Sequence, residues 1–228
     1  MIDLQERILA KYGRPEEYLI DRYTPNFFDY YIDIGTRGVV NPWHINYIGS
    51  DSPRTKCFGY EPDLPYFKEL VSAVDAKGLS NVHLHSEGFG TGKEIKTPQG
   101  TGGTVTLSEI FNEYELDPSE TWAIKFDCEG AEYALLEKEC EPCVDILKQA
   151  DHISLEFHVA GGGSNFFTVN NQLPSSFEKG ESWMFENFSD SHEIFLTSYE
   201  ERLKLKTYVL LSDKIMSLTD SLFWKELL

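Results

Sequence analysis

Basic residues are scarce in this chain. Twenty lysines and arginines stand against 38 aspartates and glutamates, a formal net charge of −18. A surface of that sign repels phosphate backbones and anionic lipid, which argues against nucleic acid and membranes as main partners. The same surface also serves plain solubility. Long apolar runs are missing as well: nowhere do eighteen apolar residues stand together, so no membrane-spanning helix is expected. The opening MIDLQERILAKYG carries scattered charges where a signal peptide would be apolar, and a cytoplasmic location is the expectation. Cysteine is sparse, with four in 228 residues. Cys57 and Cys128 fall in apolar stretches that read as strands, where a thiol acts as a small hydrophobe. Cys140 and Cys143 form a lone CxxC, and a zinc site needs two further ligands at matching spacing. They are read as helix-end residues, and no metal site is expected.

What is present is an alternation of strand and helix patterns. Residues 2–12 place Ile2, Leu4, Ile8, Leu9 and Tyr12 at helical spacing. Apolar, β-branched and aromatic runs at 28–34, 56–60, 81–85, 122–127 and 153–158 read as buried strands. Between them lie helical stretches: a short one after Pro42, PYFKELVSAVDAKG with Gly78 closing it, one opened by the capping box Thr106-Leu-Ser-Glu109, one near Gly130 and one over 142–150. Residues 88–103, rich in Gly, Thr and Lys, read as an irregular excursion or hairpin. A helix around 183–188 precedes strands near 194–197 and 205–211, close enough in sequence to pair antiparallel. Strands separated by helices make an α/β fold with a mainly parallel sheet and helices on both faces, here ending on an antiparallel hairpin. No linker divides it. One domain over residues 1–228 is expected, with 1–27 an N-terminal helical extension and 160–182 an insertion beside the acceptor site.

In such a sheet, ligands gather where strands end. The first strand runs into Asp33-Ile-Gly35-Thr36-Arg37-Gly38, where glycines let backbone approach a ligand and the acid can hold a positive group. The second ends in Glu61-Pro62-Asp63, and an acid there can accept both hydroxyls of a ribose. The fourth ends in Lys125-Phe-Asp127-Cys-Glu129-Gly-Ala-Glu132. Strand alternation puts Lys125 and Asp127 on one side, while Glu129 and Glu132 also suit the dipole at a helix N-terminus. The fifth ends in Glu156-Phe-His158, bringing an acid and an imidazole to the same edge.

These blocks resemble the FkbM family of S-adenosylmethionine-dependent methyltransferases. DIGTRG, CFGYEPDLPYF, NVHLHSEGFG, TVTLSEIF, IKFDCEGAEYALLE and ISLEFH occur in the family's order over about residues 28–158. The first turn departs from the usual Asp-x-Gly-Ala-Asn-x-Gly and is nearer a branch with Ala-Arg-Gly-Gly followed by a tryptophan, here Arg37, Gly38 and Trp43. The resemblance implies a Rossmann-like class I methyltransferase sheet of seven strands and S-adenosyl-L-methionine as cofactor. It implies that Asp33, Gly35 and Gly38, with Thr36 and Arg37 of the same turn, border the methionine part. Glu61, followed by Pro62, would take the ribose, and Ser86 with Glu87 would lie beside the adenine. Asp127 and Glu129 would face the methyl group and a small-molecule acceptor, often a sugar hydroxyl. Asp127 is the first candidate for base or for the acid that orients the hydroxyl, His158 the second, and Lys125 completes the catalytic set. Two other classes remain open: a nicotinamide-dependent oxidoreductase, for which no G-x-G-x-x-G is present, and a cofactor-binding module without catalysis. Residues 161–180, with three consecutive glycines and Phe166-Phe167, are expected to form a lid.

Overall fold

The computed structural model describes residues 20, 23–36, 44–97, 99–160, 173–200 and 204–218. The helix expected over 2–12, Arg37, Gly38, and the glycine-rich start of the expected lid lie outside them.

Ten strands and six α-helices make up the described chain. β1 (Tyr30–Ile34), α1 (His44–Asp51), β2 (Lys56–Tyr60), α2 (Leu64–Lys77) and β3 (Val82–His85) form the first wound half. After β4 (Glu87–Phe89), β5 (Ile95–Thr97), β6 (Gly100–Val105) and α3 (Leu107–Glu113) come β7 (Trp122–Phe126), α4 (Glu141–Leu147) and β8 (His152–His158). α5 (Glu178–Phe188), β9 (His192–Glu200), β10 (Leu205–Ser212) and α6 (Asp213–Leu218) close it. The main sheet has seven strands in the order β3-β2-β1-β7-β8-β10-β9. The first five are parallel, and β10 runs antiparallel to both β8 and β9. This is the expected mainly parallel sheet with a terminal hairpin.

Alternation along each strand divides the core between the two faces. Tyr30, Ile32, Ile34, Trp122, Ile124 and Phe126 pack on one side with Leu107, Ile110 and Phe111 of α3 and Met184 and Phe188 of α5. Tyr31, Cys57, Ala123, Val209 and Leu211 pack on the other with Ile45 and Ile48 of α1, Val74 of α2 and Ile215 of α6. Helices on both faces leave only the strand ends open to ligands.

Local signals set several boundaries. Gly78 ends α2 at φ +66°, a left-handed turn natural to glycine. The capping box is formed at both contacts: Glu109 N–H donates to Thr106 Oγ1 at 3.2 Å, and Thr106 N–H to Glu109 Oε2 at 2.7 Å. The excursion at 88–103 is more ordered than its composition suggests. β5 and β6 form a hairpin, and β4 adds to β6 in parallel. Gly102 of β6 lies so near the Glu61–Pro62 turn that a Cβ there would come within 2.9 Å of Pro62 O, which ties this small sheet to the end of β2. One expectation needs correction: Cys128 lies past the end of β7, in the turn. The helix expected near Gly130 is there as a short 3-10 helix, Ala131–Leu136. Cys140 and Cys143 are buried and free at the start of α4, the helix-end placement expected of them.

Candidate functional site

The C-terminal edge of the sheet holds a cleft that opens to solvent. Its lining comes from three strand ends and the small sheet: Ile34 and Gly35 at the end of β1, Glu61 and Pro62 after β2, Asp127, Cys128, Glu129 and Ala131 after β7, and Gly88, Phe89 and Ile95 of β4 and β5. A cleft at the ligand edge of the sheet, with apolar walls and a few acids, has the make-up usual for small-molecule sites.

The turn after β1 is held from both sides. Gly35 N–H and Thr36 N–H donate to Tyr60 O at 3.0 and 3.2 Å, and Thr36 Oγ1 donates to Asp33 O at 2.7 Å. Gly35 has φ +83°, and a Cβ there would sit 1.8 Å from Asp127 O. Glycine is therefore required by the approach of the β7 turn, whatever a ligand demands. Asp33 is buried and faces Lys125 across the β1–β7 register, with Nζ 3.0 Å from its Oδ1. Lys125 also reaches Asp127 Oδ2 at 3.5 Å, as expected for residues two apart on a strand. Burial works against the charged form of Lys125. The two aspartates outweigh it and hold its pKa above the ordinary lysine value.

Beyond Asp127 the chain takes two successive left-handed steps, Glu129 at φ +55° and Gly130 at φ +108°. A non-glycine residue held there marks a turn fixed by its surroundings. What fixes it is Glu132. This carboxylate is fully buried rather than displayed on a helix's first turn. Its Oε2 accepts Gly130 N–H at 2.8 Å. Its Oε1 accepts His158 N–H at 2.8 Å and lies 3.1 Å from His158 Nδ1. One side chain thus pins the β7 turn to the end of β8.

β8 presents Glu156 and His158 on one side, and His158 Nε2 lies 3.1 Å from Glu156 Oε1 and 3.6 Å from Glu129 Oε2. Thr207 of β10 donates to Glu156 Oε2 at 2.9 Å. Burial disfavours a charged imidazole, but Glu132 and Glu156 overcome that and raise the His158 pKa well above its ordinary value. Among the described residues, five carboxylates (Asp33, Asp127, Glu129, Glu132 and Glu156) thus gather near Lys125 and His158.

The expected residues separate into groups. Gly35, Glu61, Pro62, Asp127 and Glu129 line the cleft, while Asp33, Thr36, Lys125 and His158 stand buried behind it. Ser86 is exposed and Glu87 half-buried, and neither is in the cleft lining. Sequence reasoning passed over Glu132 as a site residue, as well as the wall formed by Gly88, Phe89 and Ile95.

No protein-family model and no curated protein matches this chain. Solved structures do. A provisionally described rRNA methylase from Clostridium thermocellum superposes with a TM-score of 0.53 at 10% identity, covering 85% of this chain and 90% of its own. A provisionally described methyltransferase from Streptococcus mutans, in complex with SAH, gives 0.50 at 8% identity over 85% and 93%. At such identity the likeness is one of fold: this sheet, with its terminal antiparallel hairpin, is that of Rossmann-like methyltransferases. Among the described residues no helix is long and apolar enough to cross a membrane.

Proposed function

We propose that the chain is an S-adenosylmethionine-dependent methyltransferase, of FkbM type, acting on a hydroxyl of a sugar or another small molecule. The observation that carries this reading is the convergence of Glu61, Gly35, Asp127 and Glu129 on one cleft at the ligand edge of the sheet. Glu61 is buried at the end of β2, its Oε1 held by Asp63 N–H at 2.8 Å, and a carboxylate so placed suits the two hydroxyls of a ribose. Pro62, Phe89 and Ile95 offer apolar walls to a flat base, and the acids after β7 suit a positively charged centre. The residues present therefore fit this cofactor. A nicotinamide dinucleotide is served by a G-x-G-x-x-G fingerprint after the first strand, which this chain lacks.

S-adenosylmethionine supplies an electrophilic methyl group when bound. The chain's own part is to align the acceptor oxygen, exclude water and take up its proton. Asp127 is assigned that role because it is partly open to the cleft, with Lys125 fixing its position from behind. His158 is deeply buried and both its ring nitrogens face carboxylates, so it is assigned to hold that edge in place.

Although the Clostridium neighbour is described as acting on rRNA, a net charge of −18 argues for an uncharged or cationic small acceptor here. Four free, buried thiols suit a reducing, cytoplasmic compartment. Residues 160–182 follow β8 directly and are assigned to the acceptor side of this single domain. Calorimetric titration tests the reading. S-adenosylhomocysteine should bind and NAD should not. The reverse result would replace the methyltransferase by an oxidoreductase, and binding without turnover on any hydroxyl acceptor would leave a binding module.

A further inference from the structure

We propose that Asp127, Glu156 and His158 form a divalent-cation site on the acceptor side of the cleft, suited to an ion of the manganese type. One donor atom from each lies within 4.8 Å of the other two. Around an octahedral ion with bonds of about 2.1 Å, adjacent ligand atoms are roughly 3 Å apart and opposite ones roughly 4.2 Å apart. The 3.1 Å between Glu156 Oε1 and His158 Nε2 matches an adjacent pair, and the ion would bind the neutral imidazole, taking the place of the Nε2 proton.

The donors are also braced from behind. Glu132 holds the Nδ1 side of His158, turning Nε2 towards the other donors, and a carboxylate on the far nitrogen is the usual support of a ligating histidine. Thr207 occupies Glu156 Oε2 and leaves Oε1 on the side of His158. Two of the three donors stand on β8, a strand paired on both sides, so the set is held on a rigid element. Two carboxylates and one imidazole, with no thiolate, favour a hard or borderline ion such as Mn²⁺ over a soft one. The nearby ammonium of Lys125 is held closer to Asp33, at 3.0 Å, than to Asp127, at 3.5 Å. Asp127 is the donor that reaches the cleft, with its side chain 28% exposed, so an acceptor hydroxyl could complete the coordination and be polarised there.

Cation binding does not depend on the methyltransferase reading, whereas polarisation of an acceptor does. Mn²⁺ titration of the full chain, followed by the electron-spin resonance of the free ion, should give one site per chain. Glu156→Gln and His158→Gln should each weaken it at least tenfold. Equal binding by all three proteins would assign the ions to the acidic surface and overturn the proposal, as would the lack of any site tighter than millimolar. Because either variant could fail to fold, a second measurement uses the native chain. Substoichiometric Mn²⁺ should broaden the His158 imidazole resonances well before those of His192, and equal broadening would also overturn the site. Mn²⁺ bound without S-adenosylhomocysteine would sink the methyltransferase reading alone, and the converse would sink the cation site alone.

Discussion

The two ends of β8 handle buried charge in opposite ways. At its start, Asp151 is almost fully buried, and its carboxylate accepts from Trp122 N–H at 3.1 Å, Ser212 Oγ at 3.2 Å and the Lys214 ammonium at 3.1 Å. One acid meets one cation, and the backbone adds Asp151 N–H to Trp122 O and Ser212 N–H to Asp151 O. That cluster ties β7, β8 and β10 together and closes on itself. At the other end, Asp127, Glu129, Glu132 and Glu156 gather around one imidazole, with Asp33 and Lys125 alongside. Buried charge is costly unless it is paired. A cluster that closes on itself is explained by the fold it holds, whereas acids crowded at the ligand edge are a candidate binding site.

The largest expected effect breaks the open end. Asp127→Asn keeps the shape and removes the charge. Turnover should fall by roughly 10²–10⁴ while S-adenosylhomocysteine affinity stays nearly constant. Single-turnover assays with an identified acceptor would measure it, and an unchanged rate would return Asp127 to the scaffold.

Asp151→Asn is the matching change at the closed end. The amide oxygen can still accept Trp122 N–H while its NH2 faces the Ser212 hydroxyl, so the loss is the charge-assisted bond to Lys214, at a cost of about 1.5–3 kcal/mol. Urea unfolding should show that loss with cofactor affinity intact. Loss of affinity without loss of stability would reverse the assignment of the two ends.

Glu61 sharpens the comparison from a third strand end. If it takes a ribose, Glu61→Ala should weaken S-adenosylhomocysteine binding by about 1–3 kcal/mol. It should leave Mn²⁺ binding untouched, because Glu61 is not among the proposed donors. Equal S-adenosylhomocysteine affinity in calorimetry would remove Glu61 from the site.

How much of this was legible in the sequence follows from how local each cause is. β2, the capping box at Thr106 and the Gly78 cap stand where the sequence put them, because each depends on a few neighbouring residues. The strand-end acids were legible because alternation and the ligand-edge rule need only strand limits. Glu132 was not. Gly-Ala-Glu-Tyr-Ala-Leu-Leu has the composition of an α-helix, and its inward turn depends on bonds to Gly130 and to His158 on another strand. The wall of Gly88, Phe89 and Ile95 was hidden for the same reason. β4 pairs with β6 across the intervening β5 hairpin, and nothing in the composition of that segment signals the pairing. The convergence of Asp127, Glu156 and His158 likewise comes from the adjacency of β7 and β8, which no linear spacing encodes.

The smallest effect expected lies at the closed end, where a titratable group is kept neutral rather than paired. His192 begins β9 with only 5% of its surface exposed, its Nε2 2.9 Å from Ala150 O and its Nδ1 2.9 Å from Ser191 Oγ. Burial lowers its pKa below the ordinary histidine value. The bond to Ala150 O and the charges of Asp151, Asp213 and Asp190 push the other way without prevailing. The unfolded chain therefore takes up the proton first as pH falls. Stability from His192 is whole above the unfolded value of about 6.5 and is lost as pH drops from there through the folded value. His192→Gln keeps a donor for Ala150 O and cannot titrate. Urea midpoints taken between about pH 5 and 8 should fall more steeply with acid for the native chain than for the variant, by less than the whole cost of Asp151→Asn. Two parallel curves would mean that His192 titrates alike in both states, and the closed end would then hold its histidine by pairing after all.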